Sequence, residues 1–190
     1  MTWSGFYDAT QSLPAVGTLQ RALTRWARGP GLALDLGCGV GRDTLELLRR
    51  GWQVRACDAE AEALSRLRDQ VPACDAARLI THCERFETLQ LPSANLINSS
   101  FALPFCAPDH FDSLWQRISS ALEDGGLFAG QLFGERDQWA SPQLSIHSRE
   151  QVQALFDGWA WVDIEEIDRT GVTALGRAKH WHLFHIIAER

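Results

Sequence analysis

The stretch Leu34-Asp35-Leu36-Gly37-Cys38-Gly39-Val40-Gly41-Arg42-Asp43-Thr44 constrains this chain more than any other. Residues 31–36 form a short apolar run that suits a buried parallel strand, and residues 44–50 have helical spacing with Gly51 as a stop. The glycines therefore occupy a strand-to-helix turn. Glycine serves there because it tolerates positive φ and lets a ligand approach the backbone without meeting a Cβ. The free N–H groups opening the next helix can meet an anionic group. Spacing then narrows the ligand. The dinucleotide fingerprint needs glycine or alanine at position 42, where Arg42 stands, and no Gly-Lys-Ser/Thr follows as a P-loop requires.

At 190 residues, 45% hydrophobic and 22% charged, the chain reads as one soluble domain with a sizeable core. No apolar stretch approaches a membrane span and residues 1–9 lack a signal peptide's pattern, so a cytoplasmic location is expected. Cys38, Cys57, Cys74, Cys83 and Cys106 are scattered without a C-x-x-C pair, which argues against disulfides and zinc. Net charge is −6 and Lys179 is the only lysine, a poor footprint for nucleic acid. A small molecule is the better partner.

Residues 14–27 read as a helix with Val16, Leu19, Leu23 and Trp26 on one face, ended by Gly29-Pro30. Residues 53–58 are the second strand, so Asp58 falls at its C-terminal end, where open α/β sheets bind ligands. A helix over 60–70, a strand over 77–83 and a strand over 95–99 follow. From Asp109, Phe111, Leu114, Trp115, Ile118 and Leu122 mark an amphipathic helix. Asp124-Gly125-Gly126 is a turn before a fifth strand over 127–133, and Ser148 with Gln151 reads as a capping box. Two last strands, 161–167 and 181–188, flank a loop containing Gly171 and Gly176. In a strand His180 and His182 share a face while His185 points away, so these three do not converge on a metal. Strand and helix alternate from Gly31, which implies a doubly wound parallel sheet.

With Asp58 ending the next strand, the Asp-x-Gly-x-Gly-x-Gly pattern of 35–41 resembles the class I S-adenosylmethionine-dependent methyltransferase motif. Within that class, Cys38-Gly39-x-Gly41-Arg42 followed by Arg50-Gly51-x-x-Val54-x-x-x-Asp58 is most similar to small tellurite-resistance methyltransferases, and more loosely to thiopurine methyltransferases. The resemblance implies a single-domain, Rossmann-like, seven-stranded α/β sheet with an antiparallel last strand. Residues 1–30 would form a lid and helix and residues 31–190 the core. S-adenosyl-L-methionine would be the cofactor and S-adenosyl-L-homocysteine its product.

The methionine end would lie over Asp35, Gly37, Cys38, Gly39, Gly41 and Arg42, the ribose at Asp58 and Ala59, and the adenine at Arg85 with Glu84 or Glu87. Ser99 would stand near the methyl group. The acceptor pocket would comprise Phe6, Tyr7, Ser100, Phe101, Phe105 and Trp139, with Trp3 and Arg136 close by. Tyr7 and His110 are the candidate catalytic groups by residue type. Asn98-Ser99-Ser100-Phe101 departs from the Asn/Asp-Pro-Pro-Tyr/Phe of nucleobase and amide methylases. A small-molecule acceptor, a soft sulfur, selenium or tellurium nucleophile in the relatives, is therefore expected, with neither nucleic acid nor membrane as partner and a monomer or weak homodimer as the assembly. Two other readings remain open: a non-catalytic cofactor-binding or regulatory protein, and a nicotinamide-dependent oxidoreductase, against which Arg42 counts.

Overall fold

The computed structural model describes residues 3–190; Met1 and Thr2 of the expected lid lie outside them. In chain order the elements are α1 (Ser4–Thr10), α2 (Gly17–Arg25), β1 (Leu32–Leu36), α3 (Arg42–Arg49), β2 (Gln53–Asp58), α4 (Ala61–Gln70) and β3 (Leu79–Cys83). There follow β4 (Ala94–Ser99), α5 (Pro108–Ala121), β5 (Leu122–Gly134), β6 (Ile146–His147), α6 (Arg149–Ala154), β7 (Trp161–Val172) and β8 (Ala178–Glu189). The sheet runs β3-β2-β1-β4-β5-β8-β7. Strands β1 to β5 are parallel, and β8 is antiparallel to both β5 and β7.

Strand alternation divides the core in two. Ala33, Leu96, Leu127 and Ile187 face α2, α3 and α4, where Leu19, Leu47 and Leu67 are fully buried. Leu34, Ile97, Phe128 and Ile186 face the opposite layer, packed by Phe111, Leu114 and Trp115 of α5 and by Phe156. Burial on both faces explains why β1 reads as a near-continuous apolar run. The chain leaves β1 toward β2 on one side and meets β4 on the other, so a crevice opens at their C-terminal ends.

The seven-stranded path and the capping box are as the sequence leads one to expect: Gln151 N–H donates to Ser148 Oγ (3.3 Å), and Ser148 N–H to Gln151 Oε1 (2.8 Å). Three features differ. The N-terminal aromatics belong to a helix, α1. A two-residue strand, β6, pairs with Phe133 and Gly134 of β5 and is too short to leave a periodic signal. The final loop is a turn over residues 173–177, because β7 and β8 stay paired out to Val172 and Ala178. Charges in those extensions hide the strand pattern but pair across the sheet, with Asp168 accepting from Arg136 Nε and His180 Nε2, both at 2.7 Å. Among the described residues no helix is long and apolar enough to cross a membrane.

Candidate functional site

Gly37 and Cys38 both donate their N–H to the carbonyl of Cys57 (2.9 Å each), which stitches the glycine turn to the end of β2. Gly39 N–H then donates to Asp58 Oδ2 at 2.8 Å, and Glu60 N–H to Asp58 Oδ1 at 2.9 Å. One carboxylate thus orders the turn and the entry to α4 together. The three glycines serve different ends. A Cβ on Gly37 would lie 2.2 Å from Ala102 Cβ, and one on Gly41 2.2 Å from Leu67 Cδ1, whereas one on Gly39 would meet nothing within 4 Å. Gly39 borders the open crevice.

Beneath the turn lies a buried polar cluster. Asp35 pairs in register with Asn98, whose Nδ2 donates to Asp35 Oδ1 (2.9 Å) and to Asp43 Oδ2 (3.0 Å). Thr44 Oγ1 donates to Asp35 Oδ2, Ser100 Oγ to Asp43 Oδ2, and Val16 N–H to Asp43 Oδ1. Burial, and then the neighbouring Asp43 carboxylate, push the Asp35 carboxyl up to about 7. This sets a sign. The folded carboxyl holds a proton that the unfolded chain has lost, so stability of the free protein falls as pH rises from about 4 to about 7. A ligand ammonium beside Asp35 favours the carboxylate, so affinity for an aminoacyl ligand such as S-adenosylhomocysteine is expected to climb as pH rises through about 7, with proton release on binding. Calorimetry in two buffers of different ionisation enthalpy measures that release, and Asp35→Asn should remove it.

A cavity of about 1280 Å³ opens above this floor. The structure brings Asp35, Gly37, Cys38, Gly39, Gly41, Arg42, Asp58, Ala59, Glu84, Arg85 and Glu87 to its wall, with Phe6, Tyr7, Ser100, Phe101, Phe105 and Trp139. Two expected residues fall elsewhere. Ser99 is buried and donates its hydroxyl to Leu36 O (2.9 Å), because it faces the sheet interior rather than the crevice. His110 is exposed in the first turn of α5, away from the cavity lining. Arg136 is also off the wall, paired with Asp168 and Glu166. Tyr7 packs on Val40 and Ala63, and burial together with Asp58 and Glu60 raises its phenol well above its ordinary value, so it offers a proton rather than taking one. Burial likewise raises the Cys38 and Cys57 thiols, leaving them neutral.

The hairpin β7–β8 supplies a wall that sequence reasoning missed, including Arg169, Arg177, Lys179, Trp181 and His185. Nothing local in the sequence marks them; only strand pairing carries them to the crevice. Phe101 is held at φ 58°, a left-handed conformation rare for a bulky residue, by its N–H bond to Gln131 Oε1 (2.9 Å). The same amide's Nε2 must therefore donate, to Thr18 Oγ1 (2.6 Å) and to His185 Nδ1 (3.2 Å). With Nδ1 accepting and burial lowering the affinity of His185 for a second proton, the neutral ring carries its hydrogen on Nε2. His185, the one imidazole on the wall among the described residues, is thus a donor through Nε2 and not a base.

A family model described as a methyltransferase domain matches residues 33–126, the span from β1 into β5 that holds the glycine turn, Asp58 and Asn98. Residues 33–126 form a methyltransferase domain of that family. Curated relatives of the chain include carboxy-S-adenosyl-L-methionine synthases from Shewanella piezotolerans, 27% identical over 72% of the chain, and from Pseudomonas putida, 33% identical over 70%. The chain spans only 61% and 58% of their lengths. Among solved structures, TehB from Haemophilus influenzae superposes with a TM-score of 0.77 at 16% identity, covering 99% of this chain and 65% of that one. The glycopeptide N-methyltransferase MtfA in complex with S-adenosyl-L-homocysteine gives 0.64 at 16% identity, covering 94% and 90%. At such identities these two matches speak for the fold.

Proposed function

We propose that this methyltransferase-family chain transfers the methyl group of S-adenosylmethionine to a small-molecule acceptor. The observation that carries the reading is the open space over Gly39 beside an Asp58 carboxylate already aligned by Gly39 and Glu60 N–H groups. That donor set fits the cofactor. Asp58 retains lone pairs for ribose hydroxyls, Arg42 lines the cavity without an ion pair among the described residues and is available to a carboxylate, and Asp35 suits an ammonium. Glu84, Arg85 and Phe86 line the side expected to hold the adenine. The bound cofactor supplies a methyl group already activated on a sulfonium, so alignment of the acceptor carries much of the catalysis.

The protein's own groups favour an acceptor that needs no deprotonation. Tyr7 stays protonated, His185 carries its hydrogen on Nε2, and the two thiols nearest the turn are neutral. A soft nucleophile such as a thiolate or selenide meets that condition, whereas an alcohol or amine with a high pKa would want a base. The match to a methyltransferase model favours this function over the nicotinamide reading.

Two measurements test the proposal. Transfer of label from methyl-labelled cofactor to a metabolite extract would establish turnover, and none with any fraction would leave a binding protein. Asp58→Ala should weaken S-adenosylhomocysteine roughly tenfold to a hundredfold, as expected on losing hydrogen bonds to a charged group. An unchanged affinity would reduce Asp58 to a structural tie.

A further inference from the structure

The acids on the cavity wall are segregated, although Arg42 and Arg85 stand among them. Its acids are Asp35, Asp43, Asp58, Glu60, Glu84 and Glu87, all from β1, α3, β2 and the segments that follow β2 and β3. The β5–β8–β7 side contributes no acid to the lining but carries Arg169, Arg177 and Lys179. Lys179 is committed: its Nζ lies 2.6 and 2.7 Å from the two Asp137 oxygens, both side chains are buried, and it sits 3.4 Å from the Trp181 ring centre. Arg169 and Arg177 are not. Neither guanidinium makes a hydrogen bond or ion pair among the described residues, and the neighbouring Asp168 is already held by Arg136 and His180.

The mouth has a second character. Six large hydrophobic residues are exposed among the described ones, and five of them (Leu13, Phe105, Trp139, Val172 and Leu175, 40–68% exposed) line this cavity. Ile80, on the edge strand β3, is the sixth. Concentration of exposed apolar area at one opening marks a binding site rather than ordinary surface. The volume also exceeds the roughly 300–1,000 Å³ usual for a single ligand, which leaves room beyond the cofactor.

We infer that the acceptor is an amphipathic organic anion, its acid group held by Arg169 and Arg177 and its apolar body against the rim at Phe105, Trp139 and Leu175. This rests on the proposed methyl transfer, since it divides one cavity between a cofactor end and an acceptor end. The acidic half receives the cationic cofactor and the basic half an anion. A guanidinium grips a carboxylate with paired hydrogen bonds, and two exposed, unpaired ones beside an apolar rim favour that charge. An inorganic anion would use the arginines but leave the apolar rim without a role, and a neutral apolar acceptor would do the reverse.

The test uses the full chain saturated with S-adenosylhomocysteine, with 4-phenylbutyrate and octanoate as probes and their neutral primary amides as controls, read by calorimetry. Each acid should bind at least about tenfold more tightly than its amide, the scale of a charge-assisted contact. In Arg169→Gln/Arg177→Gln that preference should vanish while S-adenosylhomocysteine affinity and melting temperature stay as in the parent. Trp139→Ala should weaken acid and amide alike. If S-adenosylhomocysteine itself does not bind, the methyltransferase reading fails and takes this one with it. If it binds but acids and amides are equal, or the preference survives in the double variant, the amphipathic-anion assignment alone is overturned. Competition by inorganic phosphate as effective as that by octanoate would also overturn it.

Discussion

Gly39→Val is expected to cut S-adenosylhomocysteine affinity by more than about a hundredfold while leaving a folded protein. Gly39 sits at φ 54° with nothing within 4 Å of its would-be Cβ, so the valine side chain would enter the crevice rather than the core. A β-branched residue in that conformation costs on the order of 1–3 kcal/mol, a stability loss most domains survive. Gly41→Val is the contrast. Its Cβ would collide with Leu67 of the buried core, so unfolding should dominate there. Calorimetry paired with thermal melts separates the two, and a Gly39→Val protein that binds like the parent would displace the ligand from the glycine turn.

Deleting residues 1–10 should abolish turnover on any acceptor while the sheet remains folded. α1 is not part of the sheet, yet it brings Phe6 and Tyr7, with Trp3 just before it, to the cavity. Trp3 meets the Phe105 ring edge-on at 5.6 Å, and a Cβ on Gly5 would lie 4.0 Å from Leu175, so helix and hairpin turn approach each other across the mouth. Without α1 water reaches the reacting atoms and the acceptor loses part of its wall. A melting temperature a few degrees lower is also expected, because Val40 and Ala63 lose their cover. Full activity in the truncated chain would make α1 packing alone.

The cofactor half of the site is legible in the sequence because its parts are local. Strand, glycine turn and helix are contiguous, and Asp58 lies one βα unit on, within reach of spacing rules. The acceptor half is not. Arg169 and Trp181 face each other only because β7 and β8 pair in register, and Gln131 reaches Phe101 because β4 lies on one side of β5 and His185 because β8 lies on the other. Ser99 shows the opposite failure: it has the expected position in the chain, but strand alternation turns its hydroxyl inward. His110 was suggested by residue type, which carries no direction.

The place of β8 in the sheet has a consequence for how the protein is made. β8 is the last of the strands in the sequence, yet it stands between β5 and β7. While a ribosome is still synthesising residues 178–189, β7 has no neighbour to pair with, and β5 exposes an apolar edge flanked by Phe128 and Phe133. The nascent chain thus holds a nearly finished cofactor half and an acceptor half that does not yet exist. Such an intermediate invites strand addition by another chain until residues 178–189 emerge, a window in which chaperone demand should be highest.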